Sequence, residues 1–489
     1  MLRRKLRALL LAASLTLPAL TAPAQDTNKD AKSAPPAARP TPPAVARALR
    51  ALTDWVKGRE GSVSVRVVDT RTGSVWAEAT PELALNPASN MKLLTAAVAL
   101  SRLGTEFRFS TGLYGRVEKA RVESLVLRGH GDPSLGSADL WQLALALQKL
   151  GVESVGAILV DQSRFDAQFV PPAFEQQPNE WASFRAPVSA VALERNAVTL
   201  NVLATSAGQA ARVWFEPPGV VTHEGVIETR RPGSGEAIQL ALALRGLDLF
   251  AQVSGHVAEG IPRMRFERRL DDPRRAAGLA LRALLSDAGI KVSGNVTLGG
   301  ESIEGRLAFH QSEPLGVLLH ELGKNSDNFY AEMVLEALAA EAGSKPATSQ
   351  AGAAVIKAWL AEHGALAADT RIENGSGLFD ANRVSAATLC KTLEVVARDT
   401  RLYPEFLAQL AIGGVDGTLR SRFTRLKRER SVRAKTGTLA AAVGLSGYVL
   451  RANGEAPIAF SFLVNGIEGH AHSAREKIDK VVEALAAAR

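Results

Sequence analysis

Ser89 and Lys92 are the first residues of this sequence whose types and spacing could carry out a reaction. They open a segment of helical periodicity in which Leu93, Ala97 and Leu100 form an apolar face. Side chains three residues apart on a helix project from the same face, about one turn apart. We therefore expect the Lys92 amine within reach of the Ser89 hydroxyl. Such a pair can serve as nucleophile and general base in acyl transfer without a histidine.

Two later segments carry residues that complement this pair. Ser326 and Asn328 form an S-x-N sequence, and a K-[ST]-G sequence that occurs once in the chain begins at Lys435. Each segment alone is compatible with an ordinary helix cap or strand edge. The three together, in this order, predict one shared serine acyl-transfer site.

A second S-x-N match begins at Ser293, and we reject it as a site residue. Residues 291–298 alternate as a strand or hairpin, far from any predicted helix start. Ser326 is instead predicted as the N-cap of a helix that contains Phe329, Met333 and Leu338. The second motif is therefore assigned to Ser326.

With these motifs, the chain resembles the penicillin-binding proteins. The long gap between the first and second motifs is similar to the class C low-molecular-mass group, the penicillin-binding protein 4 type D-alanyl-D-alanine carboxypeptidase/endopeptidases of peptidase family S13. The resemblance runs from about Val45 to the C-terminus. Further matching segments are RGHGDPSL at 128–135, APVSA at 186–190, NGSGL at 374–378 and VDGTL at 415–419.

The resemblance implies a fold, an activity and a substrate class. The fold is α+β, a transpeptidase domain like that of penicillin-binding proteins and serine β-lactamases, with an antiparallel sheet, flanking helices and a helical subdomain. The substrates are peptidoglycan stem peptides that end in D-Ala-D-Ala or carry the D-Ala–diaminopimelate cross-link. β-Lactams should acylate Ser89 because they resemble that dipeptide. No cofactor or metal is implied.

The resemblance also implies roles for the four catalytic candidates. Ser89 attacks the carbonyl, and its own N–H with that of Thr438 forms the oxyanion hole. Lys92 is the general base, made neutral by burial and by the like charge of Lys435. Ser326 relays a proton to the departing amine, and Asn328 orients the substrate.

A second group of residues is predicted to bind substrate. The cation of Lys435 and the hydroxyls of Thr436 and Thr438 would hold the terminal carboxylate. Gly437 belongs to the same segment. Asp161, which follows the predicted strand 158–160, is added as a contact from the inserted region.

Two positions depart from the family pattern. The family segment often reads Gly-Ser-Gly-Leu-Ser-Arg, but Asp380 stands here where the family has the basic residue, with Arg383 nearby. Ala440 stands where a glutamine frequently follows the Lys-Thr-Gly strand. Both positions bear on recognition of the cross-linking side chain, so the cross-bridge preference stays open.

The N-terminus is predicted to be a sorting signal. A basic start, an apolar core at 8–17 and the small residues Ala22 and Ala24 indicate export to the periplasm with cleavage near Ala24. That apolar core is too short to span a membrane, which takes about 20 residues, and no later stretch is long enough. Residues 25–43, rich in Pro and Ala, are predicted to be a disordered linker.

Charge and cysteine content limit the remaining classes of function and partner. The formal net charge of +8 includes the basic leader, and much of the remaining excess lies in residues 420–430. We interpret this run as a solvated loop, and export argues against nucleic acid as a partner. The single cysteine, Cys390, lies in an apolar run and is predicted to be a buried small hydrophobe. A homodimer is left open.

The order of predicted elements indicates a divided catalytic domain. An early hairpin at 62–77, helices after residue 304 and strands at 432–438, 443–450 and 458–464 predict one sheet built from both ends of the chain. The catalytic domain is predicted at 44–111 and 305–489. Residues 112–304, rich in short strands with one helix near 140–150, are predicted to be an insertion of two small domains.

Two alternatives keep the same motifs. A serine β-lactamase would need faster deacylation, and the inserted region would have no evident use. A catalytically idle wall-binding protein would keep the fold without the reaction. A Ser-His-Asp hydrolase is disfavoured because the sequence has no G-x-S-x-G elbow.

Overall fold

The computed structural model describes residues 41–246, 248–452 and 454–488. The predicted leader, its cleavage site and nearly all of the predicted linker lie outside these residues. The helices within them are α1 (Pro43–Lys57), α2 (Met91–Leu103), α3 (Ser137–Lys149), α4 (Ala276–Asp287), α5 (Leu315–Lys324), α6 (Asn328–Glu341), α7 (Ser349–Glu362), α8 (Ala386–Arg398), α9 (Tyr403–Gln409) and α10 (Ala471–Ala487).

The strands form four sheets in the described part of the chain. They are β1 (Ser62–Asp69), β2 (Val75–Ala79), β3 (Ser110–Tyr114), β4 (Val117–Glu118), β5 (Arg121–Gly129), β6 (Ser154–Asp161), β7 (Ala197–Leu203), β8 (Arg212–Glu216), β9 (Val221–Arg230), β10 (Ala237–Arg245), β11 (Asp248–Ala258), β12 (Met264–Arg269), β13 (Lys291–Val292), β14 (Val296–Leu298), β15 (Arg306–Gln311), β16 (Ala411–Ile412), β17 (Val432–Thr438), β18 (Ala442–Val449) and β19 (Ile458–Asn465).

The central sheet joins the two ends of the chain, as the order of predicted elements indicated. Its strand order is β16-β17-β18-β19-β1-β2, and every neighbouring pair is antiparallel. The register pairs Val65 with Phe462 and Val67 with Phe460, so apolar side chains of both ends meet on one face. The α+β class predicted from the sequence is confirmed.

Helices cover both faces of the central sheet. On one face α1 and α10 pack together and against the sheet, around Leu52, Phe462 and Ile478. On the other face α2 and α8 pack with α5, α6 and α7 around Leu94 and Trp359. Burial of these apolar side chains is the main favourable contribution to the fold.

Helix α2 is buried on nearly all sides, from Met91 through Leu100. A helix that is apolar all round belongs in the interior of a domain. Its neighbours are α5, α6, α7, α8 and α9. This packing fixes the direction in which the first residues of α2 project, and those residues include Lys92 of the first motif.

The inserted region contains three further sheets. A seven-stranded sheet has the order β13-β6-β5-β3-β15, with β14 also paired to β6 and β4 to β5. Two three-stranded sheets have the orders β12-β7-β8 and β10-β11-β9. The larger sheet includes residues 110–111 and 306–311, a few residues beyond the predicted limits of 112 and 304.

The structure contains elements in this region and at the chain start that were not predicted. Within the described residues the inserted region has two helices, α3 and α4, and only one helix was predicted. Residues 291–298, predicted as a strand or hairpin, form two strands, β13 and β14, which pair in parallel with β6 and not with each other. Helix α1 was also missed, although Val45, Leu49, Leu52 and Val56 recur at helical spacing and are buried.

Two further observations concern the cysteine and the lengths of the helices. Cys390 is 1% exposed, which confirms the prediction that it is a buried hydrophobe. Within the described ranges, no helix combines the length and the apolar character needed to cross a membrane.

Candidate active site

A short 3-10 turn, Ala88–Asn90, presents Ser89 immediately before α2. The side chain of Asn86 fixes the entry to this turn, because its Oδ1 accepts a hydrogen bond of 2.9 Å from the Ala88 N–H. Ala88 has a positive φ of 46°, which is uncommon for a residue with a side chain. Because this turn immediately precedes α2, Ser89 lies at the positive end of the α2 helix dipole.

Lys92 is fully buried and lies against three oxygen atoms. Its Nζ is 3.1 Å from Ser89 Oγ, 2.7 Å from Asn328 Oδ1 and 2.8 Å from the backbone oxygen of Ser376. The exposed fraction of Lys92 is 0%. The predicted meeting of hydroxyl and amine is therefore present, and Asn328 and Ser376 fix the direction of the amine.

The surroundings favour a neutral amine on Lys92. Burial lowers the pKa of Lys92 to about 7, although the carboxylates of Glu332 and Asp327 act in the opposite direction. The unprotonated amine is therefore populated at neutral pH, unlike that of an ordinary exposed lysine. A base whose pKa lies near the working pH is suited to proton transfer.

Glu332 is a member of this site that sequence reasoning missed. Its carboxylate is 1% exposed and accepts hydrogen bonds from the backbone N–H groups of Gly375 and Ser376, at 2.9 and 2.8 Å. These bonds hold the segment whose carbonyl faces Lys92. The available signal was an acidic residue inside the apolar helical run of α6, because buried carboxylates require partners.

Ser326 lies beside Lys435, which brings the second and third motifs together. Lys435 Nζ donates hydrogen bonds of 2.7 Å to Ser326 Oγ and 2.8 Å to the Thr436 backbone oxygen. Burial and the nearby charge of Lys92 hold the pKa of Lys435 well below its ordinary value. Lys435 thus contacts the second motif directly.

The predicted role of Ser326 as a helix N-cap was wrong. The N-cap of α6 is Asp327, whose Oδ1 accepts a hydrogen bond of 3.0 Å from the Tyr330 N–H. Ser326 precedes the cap and has a left-handed φ of 61°. Residues in sparsely populated backbone regions concentrate at functional sites. Because Asp327 satisfies the helix end, the Ser326 hydroxyl is left available for Lys435.

Strand β17 approaches the serine turn closely at Gly437. A Cβ at Gly437 would lie 2.7 Å from Asn90 Nδ2 and 2.9 Å from the Pro87 oxygen, so a larger residue would displace the turn. Strand β16 pairs with β17 only at Ala434 and Arg433. Within the described part of the chain, residues 435–438 therefore pair with β18 on one side and leave the other edge open.

An open cleft of about 900 Å³ runs from Ser89 and Ser326 along this edge. Its other walls are the segment 418–425 and α10. Residues 420–430 form an irregular and mostly exposed segment, as predicted, and part of this segment also lines the cleft. Arg422 forms an ion pair with Asp479 of α10, and Arg425 lines the cleft.

Comparison with known proteins assigns the chain to a family. A model of the D-Ala-D-Ala carboxypeptidase 3 (S13) family matches residues 50–488. The chain belongs to this family. A D-alanyl-D-alanine carboxypeptidase from Actinomadura sp. (strain R39) is 31% identical to this S13 chain over 433 residues, covering 84% of this chain and 79% of the relative.

Solved structures share the fold of this S13 chain. Penicillin binding protein 4 (dacB) from Haemophilus influenzae has a TM-score of 0.73 at 24% identity, covering 89% of this chain and 98% of that protein. A second structure of the H. influenzae protein, complexed with a β-lactam, has a TM-score of 0.69 at 24% identity and the same coverage. The predicted resemblance to the penicillin-binding protein 4 group is confirmed.

Asp161 does not join the site of this S13 chain. Its carboxylate is 2% exposed, lies 2.5 Å from the Arg128 Nε and accepts a hydrogen bond of 2.6 Å from the Ser163 hydroxyl. Asp161 is not among the residues that line the cleft. Its partners give it a structural role within the inserted region, so we leave it out of the proposed site.

The inserted region nevertheless touches the catalytic residues through another segment. The backbone oxygen of Phe184 accepts a hydrogen bond of 3.1 Å from Asn328 Nδ2. The Asn328 amide thus connects the insertion on one side with Lys92 on the other. This contact places residues 183–185 at the border of the site.

The structure shows the contacts of the two residues that depart from the family pattern, Asp380 and Ala440. Asp380 is paired with Arg383, at 2.6 Å, and accepts a hydrogen bond of 3.1 Å from Asn86 Nδ2. The Arg383 guanidinium lowers the pKa of Asp380. The acid therefore binds the nearby base and the segment before the serine turn. Ala440 is exposed in the turn that follows β17.

Proposed function

We propose that this chain is a serine DD-peptidase that forms an acyl-enzyme at Ser89 and acts on peptidoglycan stem peptides. The observation that carries the proposal is the buried Lys92 amine, 3.1 Å from the Ser89 hydroxyl. Membership of the D-Ala-D-Ala carboxypeptidase 3 (S13) family supports the same reaction. We assign catalysis to Ser89, Lys92, Ser326 and Asn328.

The reaction begins with proton transfer within the first motif. Neutral Lys92 takes the proton of Ser89 as Oγ attacks the carbonyl of the penultimate D-Ala. The backbone oxygen of Ser376 and the Asn328 side chain stabilise the ammonium that forms. The N–H groups of Ser89 and Thr438 stabilise the oxyanion.

The proton leaves the site through the second motif. Ser326 Oγ accepts a hydrogen bond from Lys435, so its own hydrogen is free to be donated to the departing amine. The Ser326 oxygen then takes the proton that Lys92 holds, which restores the Ser326 hydroxyl and the neutral Lys92 amine. Collapse of the tetrahedral intermediate releases the distal residue. Water then hydrolyses the ester at Ser89, with Lys92 again as the base.

The open edge of β17 offers a way to hold the peptide. An extended substrate can pair with residues 435–438 as an added strand, which fixes the carbonyl near Ser89. β-Lactams resemble the terminal dipeptide and enter the same cleft. The open cleft beyond Ser89 leaves room for a leaving group larger than one D-Ala, as a cross-linked stem would require.

The remaining proposals concern location and domain organisation. We propose export to the periplasm with cleavage near Ala24, where peptidoglycan is accessible. The catalytic domain is proposed at 44–111 and 305–489, with the inserted domains at 112–304.

Activity on cross-linked muropeptides tests the proposed function. We expect the mature protein to convert D-Ala–diaminopimelate dimers to monomers and to release D-Ala from pentapeptides, both followed by chromatography and mass spectrometry. An acyl-enzyme with a β-lactam that lasts minutes to hours would distinguish it from a β-lactamase. Covalent labelling without either hydrolysis would contradict the proposal and favour a catalytically idle wall-binding protein.

A further inference from the structure

We propose that Arg475 of α10 binds the free carboxylate of the leaving residue, beside the bond that Ser89 cleaves. This inference rests on the proposed function and names the cation that recognises its substrate. It moves that role from Lys435, where the sequence placed it, to a residue outside all three motifs.

Lys435 is poorly placed to meet a carboxylate in the cleft. Its side chain is 0% exposed, and its Nζ already donates to Ser326 Oγ and to the Thr436 backbone oxygen. It does not line the cleft, whereas Thr436 and Thr438 do. Lys435 therefore acts on the reaction through Ser326, and the substrate needs another cation.

Arg475, unlike Lys435, lines the cleft. It is half-buried, lines the same cleft as Ser89, and donates a hydrogen bond of 3.1 Å from a terminal nitrogen to Thr438 Oγ1. This bond places the guanidinium at the exposed end of the open edge of β17. A carboxylate held by the threonine hydroxyls of that strand would lie next to it.

The Arg475 guanidinium can also donate further hydrogen bonds. The neighbouring acids are otherwise engaged, because Asp479 pairs with Arg422 and Glu476 lies 3.4 Å from His472. In the part of the chain that the structure describes, Arg475 forms no ion pair with a carboxylate. Arginine presents five N–H donors in a planar fork that matches a carboxylate. One hydrogen bond to Thr438 leaves most of that fork for the substrate.

A comparison of two peptides isolates this interaction. The substrates are an N-blocked tripeptide that ends in D-Ala-D-Ala and the same peptide with a C-terminal carboxamide, which removes the charge. We expect the mature wild-type protein to favour the free acid in kcat/KM. Arg475→Ala should reduce that preference about 10- to 100-fold, a loss confined to the acid, since a charge-assisted bidentate contact is removed.

Matched variants make the test specific. Lys480→Ala removes a cation from an exposed position of the same helix and should leave the preference unchanged. Arg475→Lys keeps the charge and should restore part of it, mainly through KM. Thermal unfolding of each variant shows that the fold is retained.

The outcomes separate this inference from the proposed function. If Arg475→Ala slows both peptides equally, or neither, the assignment of Arg475 is overturned while the DD-peptidase activity stands. If the wild-type protein cleaves neither peptide and is not acylated by penicillin, the proposed function fails, and the inference fails with it.

Discussion

Replacing Ser89 by alanine should abolish covalent labelling by penicillin and reduce peptide hydrolysis by about 10³-fold or more. The alanine removes the oxygen that lies 3.1 Å from Lys92 Nζ and leaves no other nucleophile at that point. Because only one hydroxyl of a turn residue is lost, the fold should be retained. Intact-protein mass spectrometry after incubation with penicillin measures the labelling directly.

Ser421, another serine that lines the same cleft, provides the control for this prediction. Ser421 is exposed and lines the cleft, and Ser421→Ala should be labelled like the wild-type protein. Equal labelling of Ser89→Ala and the wild-type protein would remove Ser89 from the role of nucleophile.

Replacing Lys92 by methionine should slow acylation by about 10²- to 10⁴-fold, the usual contribution of a general base. Methionine fills a similar volume without an amine, so Ser89 keeps its position but loses its proton acceptor. The melting temperature should not fall much, because burial of an ionisable amine is itself unfavourable. Stopped-flow acylation by a chromogenic β-lactam gives the rate.

Lys480→Met is the matched control for the loss of a lysine. Lys480 is exposed on α10, so its replacement should leave the acylation rate unchanged. An acylation rate of Lys92→Met within about tenfold of the wild-type rate would show that another group accepts the proton.

The parts of the fold with strong local patterns could be predicted from the sequence. The apolar strand patterns predicted β17 with its observed bounds, and β18 and β19 to within one residue at each end. Helix α4 was missed because it lies in a region dominated by strand patterns. Helix α1 was missed because a Pro/Ala-rich linker was expected to extend to its first turn.

The site could be predicted only where a local motif marked it. Ser89 and Lys92 meet through helix geometry alone, which sequence spacing determines. Glu332 and Arg475 belong to the site through tertiary packing, and neither lies in a motif that sequence reasoning could interpret. The N-cap of α6 was misassigned because two adjacent residues, Ser326 and Asp327, can both cap a helix.

Asp161 shows that a local feature of the sequence can also suggest a residue that does not line the cleft. Its place at a strand end made it a candidate, but such a position does not reveal a partner. The structure supplies one in Arg128 from the neighbouring strand β5, with which β6 pairs in parallel. A buried acid that is paired with a half-buried arginine needs no substrate to explain it.

The pH dependence of acylation tests most directly whether a neutral Lys92 activates Ser89. Burial lowers the pKa of Lys92 to about 7, so the reactive amine dominates above that pH and is lost below it. We expect the acylation rate constant for a β-lactam to level off above the inflection and to fall about tenfold for each pH unit below it.

Glu336 could mimic that inflection, and a variant separates it from Lys92. Burial raises the pKa of Glu336 to about 7. Glu336→Gln should keep the inflection of the wild-type protein. A rate constant that does not change from about pH 5 to about pH 9, or an inflection that disappears in this variant, would contradict the assignment of Lys92 as the base.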